Sequence, residues 1–72
     1  MTNDIRHAIG RRLKALRKEF DLTQEEVARQ AGLSLHYIQI IESKDPSNAS
    51  VLSLEKIARV FDMELWEFLK AR

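Results

Sequence analysis

Ile5, Ile9, Leu13, Leu16 and Phe20 recur at steps of four, four, three and four near the start of the chain. That period sets them on one side of a helix, predicted over Asp4 to Phe20. Arg6, Arg11, Arg12, Lys14, Arg17 and Lys18 fill the other faces and read mostly as solvated surface. Gly10 lies inside the pattern, where it costs about 1 kcal/mol relative to alanine, so a neighbouring element is expected to pack closely there. Phe20-Asp21-Leu22 reads as the closing turn, with Asp21 in the left-handed conformation that aspartate tolerates.

The pattern then shortens. Thr23 and Glu26 have the spacing of a capping box, and Val27, Ala28 and Ala31 follow on one helical face. Gly32 ends this second helix, because glycine enters the left-handed conformation without a Cβ penalty. Leu33 is an inward apolar peg and Ser34 the next N-cap. In the third helix Ile38 and Ile41 share a face, leaving Leu35, His36, Gln39 and Ile40 on others. Pro46 disfavours helix at the preceding Asp45, so this helix stops by Ser43 or Lys44. Ser50 caps a fourth helix whose Leu54, Ile57, Ala58 and Phe61 share a face, and Asp62 breaks it. Glu64 to Lys70 forms a short fifth helix with Leu65, Phe68 and Leu69 as its core residues. The fold class expected is all-α, five helices in a single domain over residues 1–72, with no strand and no internal repeat.

Helix, glycine turn and helix over Thr23 to Glu42 is the arrangement of a helix-turn-helix, which lays its second helix in a DNA major groove. The same pattern fits an αα-corner of any small bundle. Two things favour the former: Ala28 and Gly32 permit close helix approach, and much of the second helix is not needed for a core.

Composition narrows the function. The chain has no cysteine, so neither a disulfide nor a thiolate metal site supports it. No apolar run approaches the roughly 20 residues of a membrane span, and the N-terminus lacks a signal-peptide core. A cytoplasmic location is therefore expected, and the acceptor pattern Asn48-Ala49-Ser50 is read as coincidence. The net charge of +1 is a weak mark of a nucleic-acid partner. Residues 1–44 hold eight Lys/Arg against six Asp/Glu, and residues 45–72 hold four against five, so a DNA face belongs to the first two thirds. His7 and His36 lie in different elements, the serines sit at caps and in the loop, and no glycine-rich phosphate loop exists. No enzyme, cofactor, metal or small-molecule ligand is expected.

The segments IGRRLKALRKEFDLTQEEVARQAGLSLHYIQIIES and LEKIARVFDMELWEFL resemble the lambda-repressor-like, Cro/repressor-type (XRE) helix-turn-helix domains. The resemblance runs from about Ile5 to Leu69. Within the family the loop and tail look most like SinR-type regulators, and the size resembles the controller proteins of restriction–modification systems. It implies a five-helix transcriptional regulator, binding a pseudo-palindromic double-stranded DNA operator as a homodimer, with residues 34–42 as the recognition helix. Leu35, His36, Gln39 and Ile40 occupy the positions that face base edges. Thr23, Gln24, Ser34, Tyr37, Lys44, Ser47 and Asn48 occupy positions of backbone contact, Gln24 also buttressing the recognition helix. Arg17 and Glu42 match an internal ion pair between helices one and three.

Leu35 and Ile40 depart from the polar readers common in relatives. An aliphatic group can pack on a thymine methyl; the other reading turns either residue back onto the core or a neighbouring chain. Ser43-Lys44 also replaces the common Arg-Gly. Trp66 lies about 100° from Leu65, off the inward stripe, where relatives usually carry a polar residue. With Val51, Leu52 and Met63 it is expected to form a dimer interface; alternatively it folds over helix one beside Gly10. Two other functions fit the same fold. One is a helical protein-binding module of the antitoxin or anti-repressor type, and the other a regulatory appendage of an enzyme, against which a chain ending at Arg72 speaks.

Overall fold

Backbone hydrogen bonds that close three of the helices set the path of the chain. The computed structural model describes residues 5–43 and 49–70, and these form α1 (Ile5–Glu19), α2 (Gln24–Ala31), α3 (Leu35–Ile41), α4 (Val51–Val60) and α5 (Leu65–Leu69). After α1, α2 and α4 the backbone turns left-handed, at Asp21 (φ 58°), Gly32 (φ 73°) and Asp62 (φ 59°). The next amide then donates back to the final turn in all three: Leu22 to Arg17, Leu33 to Ala28 and Met63 to Ala58. This is the Schellman closure, which satisfies carbonyls the helix leaves without donors and turns the chain sharply.

The starts are equally well defined. The Thr23 Oγ1 accepts from the Glu26 amide at 3.0 Å, and the Glu26 carboxylate accepts from the Thr23 amide at 2.8 Å. That backbone hydrogen bond holds the Glu26 carboxyl below its ordinary pKa. Ser34 and Ser50 accept from the amides of Tyr37 and Ser53. At α5 the Glu64 amide donates to the Glu67 carboxylate at 2.9 Å.

The core gathers where these turns bring the apolar faces together. Leu13, Val27, Ile38, Ile57 and Phe68 are fully buried, with Leu16, Ala28, Ile41, Ala58 and Phe61 around them. Helix α2 packs on α3 and α4, α4 on α5, and α1 spans α3 and α5. No helix among the described residues is long and apolar enough to cross a membrane.

The α1 stripe is shorter than its spacing implies. Ile5 is 65% exposed, at the rim of an open hollow that it lines with Ile9, Phe68 and Leu69. Phe20 lies beyond the end of α1, still half in solvent, with its ring edge-on to Phe61 at 5.1 Å between centroids. Leu69 is likewise exposed, in the last turn of α5, where only Phe68 reaches the interior.

Gly10 is where α1 and α3 touch backbone to backbone. A Cβ there would collide with the Ile41 carbonyl oxygen and stand 3.4 Å from the Glu42 Cα. Neither is the mobile end of a side chain. Gly10→Ala should therefore destabilise the fold by about 1–3 kcal/mol, as overpacking does, despite a gain in helix propensity of about 1 kcal/mol. Denaturant titration checks this; a stabilised variant would show that α1 and α3 can separate freely. The same contact overturns one placement of Trp66: the space beside Gly10 belongs to α3, and Trp66 stands 64% exposed.

Candidate nucleic-acid interface

Helix α3 is seven residues long and divides into two faces. Ile38 and Ile41 are buried and Tyr37 packs against the core, all within one half of the helix circumference. Leu35, His36, Gln39 and Ile40 occupy the other half, at the i, i+1, i+4 and i+5 positions of one stripe. His36 and Gln39 are exposed, and neither makes a side-chain hydrogen bond within the described residues. Leu35 is 38% exposed and Ile40 half-buried, and neither belongs to the core cluster. The reading that turns Leu35 back onto the core is thus not what the structure has. The helix carries no Asp, Glu, Lys or Arg.

Residues far apart in sequence hold this helix in place. Glu42, directly after α3, accepts from Arg17 Nε at 2.7 Å and from Arg17 Nη2 at 2.8 Å, a bidentate fork. The two side chains are 14% and 5% exposed. The hydrogen bond to Glu42 raises the Arg17 pKa, partly opposed by burial, so the guanidinium is charged at any working pH. Its third nitrogen donates to the Leu22 carbonyl at 3.1 Å, tying the α1–α2 turn to the same point. Gln24, in the first turn of α2, donates its amide to the Glu42 carboxylate at 3.2 Å. One carboxylate therefore joins α1, α2 and the end of α3.

Other residues singled out from sequence have local tasks. The hydroxyl oxygens of Thr23 and Ser34 accept from backbone amides, which leaves each hydroxyl proton able to donate outward. The Tyr37 hydroxyl accepts from the Ser50 amide at 3.4 Å, bridging α3 to the start of α4. Ser43 donates to the Ile40 carbonyl at 2.7 Å and helps close α3. Lys44, Ser47 and Asn48 lie outside the described residues. Val51 and Leu52 are exposed at the start of α4, and Met63 is half-buried. Among the described residues no three His, Asp or Glu side chains cluster closely enough to hold a metal ion.

Arg12 is the residue that sequence reasoning leaves among the solvated cations of α1. Its Nε donates to the Phe68 carbonyl at 2.9 Å and its Nη2 to the Glu67 carbonyl at 3.0 Å. It is an anchor for α5 rather than solvated charge. The signal was its place three residues after Ile9 and four before Leu16, inside the apolar stripe of α1.

A family model described as helix-turn-helix matches residues 13–68. The HTH-type transcriptional regulator SinR of Bacillus subtilis is 36% identical over 61 residues, which cover 85% of this chain and 55% of SinR. The control protein C.MunI of a Mycoplasma species is 42% identical over 66 residues, 90% of this chain and 88% of that protein. Among solved structures, the master regulator for biofilm formation SinR in complex with DNA superposes with a TM-score of 0.78 at 35% identity, covering 86% of this chain and 98% of that one. The chain thus spans little more than half the length of the SinR proteins it matches.

Proposed function

The chain belongs to the helix-turn-helix family, of the Cro/repressor (XRE) type, and on that premise we propose that it is a sequence-specific DNA-binding transcriptional regulator. It lays α3 in the major groove of a pseudo-palindromic operator and binds as a dimer. The observation that carries this reading is the division of α3. A short helix, fixed from behind by Ile38, Ile41 and Glu42, offers four side chains that the core does not use. SinR, similar over most of this chain, has been seen in complex with DNA.

On this reading His36 and Gln39 hydrogen-bond base edges, Leu35 and Ile40 pack on thymine methyls, and Gln24 and the hydroxyls of Thr23 and Ser34 face phosphates. Tyr37, Lys44, Ser47 and Asn48 add further backbone contacts. Because α3 has no Lys or Arg, base readout adds little to the salt dependence of binding, which falls to residues such as Lys44. His36→Ala and Gln39→Ala should each weaken binding to the selected operator by about 1–3 kcal/mol and relax preference at one base pair. Lys44→Ala should weaken binding to every sequence alike and flatten the salt dependence. Titration of operator and random duplexes at two salt concentrations tests all three. Undiminished operator affinity in the His36 and Gln39 variants would refute this orientation of α3.

Assembly follows from reach. A dimer must set its two recognition helices one DNA turn apart, about 34 Å, and the described body measures 33 × 24 × 23 Å. Two such bodies side by side provide a separation of that order. Trp66, Val51 and Leu52 are large apolar groups left in solvent by α4 and α5; joined with Met63, they form the interface we assign to this dimer.

A further inference from the structure

Helix α5 is five residues long, barely more than one turn. A helix of that length has no stability of its own, and its last carbonyls lack intrahelical donors. Its attitude is therefore set from outside. Phe68 is fully buried and pins one point, with Leu65 packed partly beside it. A single seated ring fixes where a helix lies better than how it is rolled about its own axis. The planar guanidinium of Arg12 supplies what the ring does not. It donates at 2.9 Å to the Phe68 carbonyl and at 3.0 Å to the Glu67 carbonyl, two adjacent points on the backbone, and touches the Met63 sulfur at 3.9 Å. Trp66 immediately precedes the clamped pair and faces solvent, with the Lys70 ammonium 5.8 Å from its ring centroid.

We propose that Arg12 is a positioning residue that fixes the roll of α5 and so aims Trp66 outward for self-association. The first half stands on the contacts above; the second rests on the assembly reading of the preceding section. Lysine cannot substitute for Arg12, because an ammonium is a point charge with no rigid fork to span two carbonyls. Arg12 differs in this from Arg11, Lys14 and Lys18 of the same helix, whose side chains are exposed.

Trp66 is the sole tryptophan of the chain, so its fluorescence reports on α5 alone. The full chain and its Arg12→Ala and Arg12→Lys variants are compared in two ways. At nanomolar concentration, acrylamide quenching and the emission maximum of Trp66 report its attitude in the monomer. At micromolar concentration, sedimentation gives the dimer dissociation constant. Both variants are expected to alter quenching and to raise the dissociation constant about tenfold. Amide exchange at Ile38 and Ile57 stays protected, which separates loosening of α5 from unfolding. In a Trp66→Ala background, Arg12→Ala adds nothing further to the dissociation constant. Unchanged quenching in both variants overturns the proposal, as does full rescue by lysine. An additional loss of association in the Trp66→Ala background overturns it too, since Arg12 would then act elsewhere. A wild-type chain that stays monomeric overturns the assembly reading and with it the second half, while the quenching result still decides the first.

Discussion

Glu42→Ala is expected to cost the fold about 3–5 kcal/mol, whereas Glu25→Ala on the exposed face of α2 stays within about 0.5 kcal/mol. The difference lies in what each substitution leaves behind. Removing the Glu42 carboxylate strands the Arg17 guanidinium, only 14% exposed, between α1 and α3 with a single remaining acceptor at Leu22. It also frees the Gln24 amide. A domain of this length has a total stability of only about 4–11 kcal/mol, so such a loss brings the chain close to unfolding at ambient temperature. With about 4–8 °C for each kcal/mol in a domain of this size, the melting temperature should fall by at least about 12 °C. Glu42→Gln keeps the shape and one acceptor and should fall between. Thermal melts of the four proteins decide it; equal midpoints for the Glu42→Ala and Glu25→Ala variants would make Glu42 an ordinary surface carboxylate.

Trp66→Ala should leave the monomer nearly as stable as before yet shift it away from the dimer. The side chain is 64% exposed, so truncation opens no cavity and removes little buried surface from the isolated chain. At an interface the same ring would become a buried aromatic anchor, of the kind whose truncation costs 2 kcal/mol or more in association, about a thirtyfold change. Operator binding should fall further than association does, because both half-sites must be occupied for tight binding. Sedimentation at micromolar concentration and operator titration provide the check. A Trp66→Ala protein that remains dimeric would assign the interface to another face.

Much of this architecture is legible in the sequence because it is local. Thr23, Ser34 and Ser50 each cap the helix they precede, and Asp21, Gly32 and Asp62 each turn left-handed or break a helix where spacing predicts. Those features depend on residues within five positions of one another. What spacing does not reveal is non-local. Arg12 meets α5 across 56 positions; its place beside the apolar stripe sets it apart from the exposed Arg11, but nothing near it in sequence names its partner. Ile5 and Leu69 fail in the opposite sense: both keep helical register with the core, yet they line one hollow between α1 and α5 that no described residue fills. Periodicity tells which way a side chain faces; it does not tell whether anything stands opposite. The α3 surface is intermediate, since its outward face follows from the buried Ile38 and Ile41, while the identity of what it meets does not.

The two-sided character of α3 also bears on how such chains diverge. Three of its seven residues, Leu35, His36 and Gln39, are exposed outside the core cluster, and exchanges at surface positions of that kind usually alter stability by about 0.5 kcal/mol or less. Descendants of this sequence can therefore drift at Leu35, His36 and Gln39 without passing through unfolded intermediates. On the function proposed above, selection on those three positions comes from what α3 touches, while Ile38, Ile41 and Gly10 stay under the constraint of packing. Within one small scaffold, lineages can acquire new targets by single steps, each of them a folded protein.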